Sequence, residues 1–196
     1  MVDSGSGEAN SAPLVLALGD SLTAGYGLPA AEAFPARLES LLRERWPEAR
    51  VLNAGVSRDT TADALRRLPR VLSSLRAKPD LAIVELGAND VLRSVSGYAT
   101  RANLGAIVEE LGRCAIPVLL ATFEVPPSFA AFAPTHGSVY SDVAAHYGLR
   151  TQPFFPPGLL GRPGFVIADR IHPNGRAIAL VAAAMVPSVV DMLAGR

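Results

Sequence analysis

Cysteine occurs once in this sequence, at Cys114, which rules out an internal disulfide and a cysteine-based zinc site. Histidine occurs three times, at His136, His146 and His172, so little is left for metal chemistry, and the first two lack a metal-ligand spacing. Lysine occurs once, at Lys78, and no Gly-Lys pair exists, which excludes a P-loop. Charge of one sign is not in excess. Lys plus Arg is 18, Asp plus Glu is 18, and the net charge is zero. Such a chain has no global field for nucleic acid or an anionic membrane, so no nucleic-acid partner is expected. A long apolar run is also missing. Ala177 to Val190 is too short for a membrane span and carries Pro187 and Ser188, so no integral membrane segment is expected. No G-x-S-x-G string occurs, which removes the α/β-hydrolase elbow. Gly25 to Ala30 fits a GxGxxA dinucleotide pattern on paper. It begins too far beyond Leu18 and contains Pro29, so it cannot open a helix at a strand end.

What is present describes a globular protein. Of 196 residues, 49% are apolar and 18% charged. A chain of this length buries roughly 70% of its unfolded surface and needs no metal or disulfide staple. Residues 1–12 are small and polar, without the hydrophobic stretch of a signal peptide, and read as a loose leader. Residues 13–196 read as one domain.

Short apolar runs alternate with helical periodicity. Leu14 to Leu18, Arg50 to Asn53, Leu81 to Leu86, Ile116 to Phe123 and Gln152 to Phe155 read as strands. Phe34, Leu38, Leu41 and Leu42 mark a first helix with Pro35 in its first turn and Trp46 at its end. Thr60 or Thr61 caps a second, carrying Leu65 and Leu68, which Pro69 bends or ends. Leu104, Ile107, Val108 and Leu111 mark a third, closed by Gly112, while His136 to Tyr147 and Asn174 to Leu193 give two more. Val125 to Thr135 and Pro156 to Asp169 read as loops, and Cys114 as a small buried hydrophobe. Strands separated by long helical segments predict a parallel sheet of about five strands covered on both faces, a three-layer α/β/α sandwich. In such sheets functional groups gather at the carboxyl ends of the strands.

Four segments fall at that edge. Gly19-Asp20-Ser21-Leu22 follows the first strand, where a serine projects its hydroxyl into the crevice; Asp or Ser there also serves as a plain N-cap. Asn53 to Thr60 follows the second strand, and Gly87-Ala88-Asn89-Asp90 the third; both can supply amide donors, or merely turns. Near the C-terminus, Asp169 stands three residues before His172. From there it can hold Nδ1 and leave Nε2 free as a base, with Pro173 stiffening the junction to the last helix. Serine, base, orienting acid and amide donors together form a complete set for acyl transfer.

The strings GDSLTAGYGL, NAGVSRDTTADALRRLP, VELGANDVLR and DRIHPN resemble the four blocks of the SGNH, or GDSL, hydrolase superfamily. The resemblance runs from about Leu14 to Leu193 and is strongest to the thioesterase I, lysophospholipase and arylesterase branch. It implies a flavodoxin-like fold and cofactor-free hydrolysis of esters or thioesters, with a small-molecule ester as partner and a periplasmic or secreted setting. It implies Ser21 as nucleophile, His172 as base, Asp169 as the orienting acid, and the Ser21 N–H and Asn89 side chain as oxyanion donors. A glycine usual before the Asp-Thr pair is replaced here by Arg58, whose backbone N–H stands in the place of the third donor; Gly55 matches a different point of the block. Glycine is also usual at the position of Arg170. Leu22, Val91 and Leu92 flank the blocks and are the expected acyl-binding wall. Short-chain and aryl esters are the expected substrates. A carbohydrate deacetylase of the same fold, or a binding domain with an impaired oxyanion hole, are the alternatives.

Overall fold

Five strands pair in parallel in a computed structural model of the chain, which describes residues 12–125 and 133–195. The expected leader lies outside the described residues up to residue 11, and the expected loop at Val125 to Thr135 lies outside them from 126 to 132. The strands are β1 (Leu14–Gly19), β2 (Arg50–Gly55), β3 (Leu81–Glu85), β4 (Val118–Thr122) and β5 (Arg150–Pro153), in the order β2-β1-β3-β4-β5. Successive side chains point to opposite faces, so β1 to β4 feed two cores, while the polar edge strand β5, Arg-Thr-Gln-Pro, feeds neither. Val15, Ala17, Leu81, Ile83, Leu119 and Ala121 belong to one, Leu16, Leu18, Ala82, Val84, Val118 and Leu120 to the other. Burial on both faces is why these strands read as continuous apolar runs.

Helices α2 (Phe34–Leu42) and α7 (Gly175–Ala194) cover the first face. Helices α3 (Thr61–Ser74), α5 (Gly97–Arg113) and α6 (Val139–Tyr147) cover the second. Two short helices, α1 (Ser21–Ala24) and α4 (Ala88–Leu92), follow β1 and β3 directly. The expected α/β/α sandwich is thus present. From β1 the chain moves to one neighbour, β2, and later to the other, β3. The reversal opens a crevice at the carboxyl ends of β1 and β3, which is where this topology binds ligands.

Four expectations are corrected. Helix α2 stops at Leu42, and Trp46 packs into the core from the turn beyond it. Helix α3 continues to Ser74 through Pro69, which sits on its exposed face, where water can take the hydrogen bond that proline removes. Cys114 is exposed, because it caps the solvent end of α5 rather than joining β4. Helix α7 has 20 residues, enough in length and apolarity to cross a membrane; in this fold Ile178, Val181, Ala182, Met185 and Val189 are instead buried against the sheet.

Candidate active site

Asp20 follows β1 and caps α1 with its own carboxylate, accepting the Leu22 N–H at 2.9 Å. The cap role therefore falls to Asp20, and the Ser21 hydroxyl is left for other work. Ser21 Oγ lies 3.0 Å from His172 Nε2, and His172 Nδ1 lies 2.6 Å from Asp169 Oδ2. The second Asp169 oxygen accepts the N–H groups of Ile171 and His172 at 2.9 and 3.0 Å. Desolvation, the largest single influence, works to raise the Asp169 carboxyl. The Ile171 N–H, the His172 ring and the His172 N–H outweigh it and hold the group below the ordinary carboxylate range. Residues 165–174 form a small hairpin. Ile167 N–H donates to His172 C=O, and Asn174 N–H to Phe165 C=O. The Asn174 side chain then caps α7 through the N–H groups of Arg176 and Ala177. The imidazole thus stands on a framework anchored by a 20-residue helix.

Asn89 sits in the first turn of α4, which follows the carboxyl end of β3. Its Nδ2 donates to Asp20 Oδ2 and to Asp59 C=O, each at 3.0 Å. Gly87 precedes it with φ 121°, and a Cβ there would lie 2.4 Å from the Tyr140 hydroxyl, so only glycine brings this turn under Tyr140. Gly55, at the end of β2, is needed for another reason: its Cβ would lie 2.3 Å from Ala24 N, so it lets the second block pass close beneath α1. Arg58 does adopt the left-handed conformation that glycine would take, with φ 74°. Its C=O accepts from Arg93 Nη2 at 2.8 Å, which fixes the peptide that follows. Arg67 joins these segments, donating to Asp59 Oδ2 at 2.6 Å and to Gly19 C=O at 3.1 Å.

Beneath the serine lies a pair of carboxyls that the sequence alone did not single out. Burial pushes Asp20 up to about 6, against the opposing pull of the Leu22 N–H and His172. Burial, and then the neighbouring Asp20, push Glu85 well above the carboxylate range, although Thr23 Oγ1 donates to it at 2.8 Å. A charged residue closing the apolar run LAIVE was the available signal for Glu85. Tyr26 was also missed; its ring stacks on His172 with centroids 4.6 Å apart.

The Asp20 carboxyl gives a pH prediction. Its folded value lies above its ordinary one, so its contribution to stability is complete at low pH and is lost as pH rises through about 6. Asp20→Asn lacks this titration. Its melting temperature relative to wild type should therefore rise between about pH 4 and pH 8, by an amount worth up to about 3 kcal/mol. A temperature difference that stays constant across that range would remove Asp20 as a buried titrating group.

Of the expected wall, Leu22 packs into the α2 and α7 core and Val91 is buried, so neither offers surface to a bound molecule. Leu92 is 58% exposed. Tyr26, Val56 and Ile171, adjoining the same blocks, are the further open apolar groups. His136 is buried against Thr100, and His146 stacks edge-on with Tyr147, so both are packing residues.

Comparison with known proteins identifies the family. Residues 17–179 match the model of the GDSL-like Lipase/Acylhydrolase family. An arylesterase of Vibrio mimicus is 31% identical over 180 residues, covering 91% of this chain and 89% of the relative. Esterase TesA of Pseudomonas aeruginosa is 35% identical over 164 residues, covering 83% and 81%. Among solved structures, AlinE4, described as an SGNH-hydrolase family esterase, superposes with a TM-score of 0.76 at 42% identity, covering 92% of this chain and 96% of that one. With a family model spanning most of the chain and relatives of this similarity, the chain belongs to the GDSL-like lipase/acylhydrolase family.

Proposed function

We propose that this carboxylic ester hydrolase works through an acyl-enzyme on Ser21, with His172 as general base, Asp169 as its orienting acid, and short-chain and aryl esters as preferred substrates. The observation that supports the reading most is the continuous chain from Ser21 Oγ through His172 to Asp169, at 3.0 and 2.6 Å. His172 takes the serine proton as Oγ attacks the ester carbonyl. The Ser21 N–H, Asn89 Nδ2 and the Arg58 N–H receive the developing oxyanion. Both Asn89 protons already have partners, so the oxyanion takes the place of one of them, Asp20 or Asp59 C=O. The alcohol leaves with the proton from His172, and water repeats the path to release the acid. Asp20 is a positioning residue in this scheme, since it holds Asn89 from below.

The test is turnover of p-nitrophenyl esters together with labelling of Ser21 by a fluorophosphonate. Absence of both would leave the family fold without the activity. Labelled Ser21 with turnover confined to acetylated sugars would favour a deacetylase instead. The substrate preference is supported by Tyr26, Val56, Leu92 and Ile171, apolar groups adjoining the catalytic blocks that lie open to solvent among the described residues. In a chain-length series, acetate to butanoate esters should give the highest kcat/KM. Best activity on sixteen-carbon esters would show that a deep apolar channel accepts the acyl chain.

Arg58 carries a further prediction. A lost oxyanion donor slows a reaction by about 10²–10³. Arg58→Gly keeps the N–H and the φ of 74° that glycine adopts freely. It should therefore change the rate on a small ester by less than about tenfold, well short of one donor. A gain of two orders of magnitude would mean that the arginine backbone holds its N–H out of the hole.

A further inference from the structure

Val56 to Asp59 form a four-residue turn, closed by the Asp59 N–H on Val56 C=O at 3.1 Å. Its third residue, Arg58, has φ 74°, while Ser57 before it stays out of the positive range. That is the pattern of a type II turn, which favours glycine at this place. In the commoner type I turn the central peptide is turned over, so the Arg58 N–H would point the opposite way. A residue with a Cβ favours the type I form, because the left-handed conformation crowds it. Strain of this kind persists only where the surroundings impose it. Arg58 therefore needs an outside constraint that glycine would not.

Two other arginines supply one. Arg93, at the end of α4, donates from Nη2 to Arg58 C=O at 2.8 Å, while its Nη1 lies 3.9 Å from Asp63. Arg67, on α3, spans the turn and the end of β1. Its Nε donates to Asp59 Oδ2 at 2.6 Å and its Nη2 to Gly19 C=O at 3.1 Å. The same Gly19 carbonyl accepts the Val56 N–H at 3.0 Å. Both ends of the turn, Val56 and Asp59, are thus tied to the last residue of β1, two places before Ser21. Asp59 is buried and Arg67 half-buried, where a planar fork on two acceptors fixes geometry as well as charge. Asp59 C=O in turn holds Asn89 Nδ2.

We propose that Arg67 and Arg93 are positioning residues that clamp the Arg58 turn, so that the Arg58 N–H stays directed at the oxyanion despite the left-handed strain. This rests on the esterase reading above. In this role neither arginine touches the ester; each acts through the peptides on either side of Arg58. The clamp matters because residue 58 is an arginine. With glycine there, the turn keeps its type II form unaided.

The experiment measures kcat and KM for p-nitrophenyl acetate in Arg67→Met and Arg93→Met, and in each combined with Arg58→Gly. Rates are counted per Ser21 labelled by a fluorophosphonate. A donor lost outright costs about 10²–10³, so kcat should fall about 10- to 100-fold in Arg67→Met and about 3- to 10-fold in Arg93→Met. KM should stay within about twofold, because the donor acts on the transition state. In the Arg58→Gly background each fall should shrink by at least about threefold, the mark of residues acting through one turn. A merely structural role would lower the labelled fraction and leave kcat per labelled serine, and this coupling, unmoved. Arg67→Met leaves the buried Asp59 without its partner; Arg67→Met/Asp59→Asn repeats the test if the single variant does not melt cooperatively. Falls in kcat that are equal in both backgrounds, a loss confined to KM, or a kcat per labelled serine within about twofold of wild type in both arginine variants would each overturn the proposal. Any of these beside normal wild-type turnover sinks this inference alone. No hydrolysis by wild type sinks the esterase reading, and the inference with it.

Discussion

Replacing Ser21 by alanine is expected to reduce hydrolysis of p-nitrophenyl acetate by about 10⁴- to 10⁶-fold, leaving the residual catalysis that an oxyanion hole and binding provide. The reason is local. Ser21 Oγ is the hydroxyl at 3.0 Å from His172 Nε2, and no other serine among the described residues bonds to that imidazole. The fold should survive, because Asp20 rather than Ser21 caps α1 and because Ser21 takes no part in either apolar core. Thermal unfolding of the variant, compared with wild type, separates the two effects. A Ser21→Ala protein that melts normally and still turns over the acetate near the wild-type rate would overturn the assignment of the nucleophile.

Asp169→Asn is expected to lower kcat by about 10⁴-fold, since an amide facing Nδ1 favours the wrong imidazole tautomer. Direct contact at 2.6 Å makes the effect a large one. The same carboxylate also accepts two backbone N–H groups of its own turn, and an asparagine oxygen can keep those. The loss should therefore appear in kcat more than in stability. A kcat for Asp169→Asn within tenfold of wild type would count against the orienting role.

Much of the fold was legible because its strands are short, apolar and bounded by Gly, Pro and Asn. Leu14 to Leu18 differs from the observed β1 only at Gly19. Errors fell where tertiary contacts decide. Nothing local says that Trp46 leaves its helix and folds back onto the core, nor that the face of α3 carrying Pro69 is the solvated one. At the site, each residue alone also allowed a cap or turn reading. What stood out was the joint placement of Ser21, Asn89, Asp169 and His172 at strand ends and helix starts, and the structure brings Ser21, His172 and Asp169 into one hydrogen-bonded chain. Leu22 was misread as a wall because a leucine beside a nucleophile and a leucine under it look alike in sequence. Tyr26 and the Asp20–Glu85 pair were invisible for a related reason: their significance lies in what they touch across 146 and 65 positions of chain, 172 − 26 and 85 − 20.

The serine and its base are 151 residues apart in the chain. At ribosomal speeds of about 5–20 residues per second, that separation is roughly eight to thirty seconds of synthesis. Through all of that interval the growing polypeptide holds a serine without a partner to activate it. The hairpin that brings Asp169 and His172 is anchored only when α7 has docked on α2, so the last helix to be made also arms the first loop. Ester hydrolysis should therefore appear late and abruptly on a translating ribosome, as a reporter of finished folding.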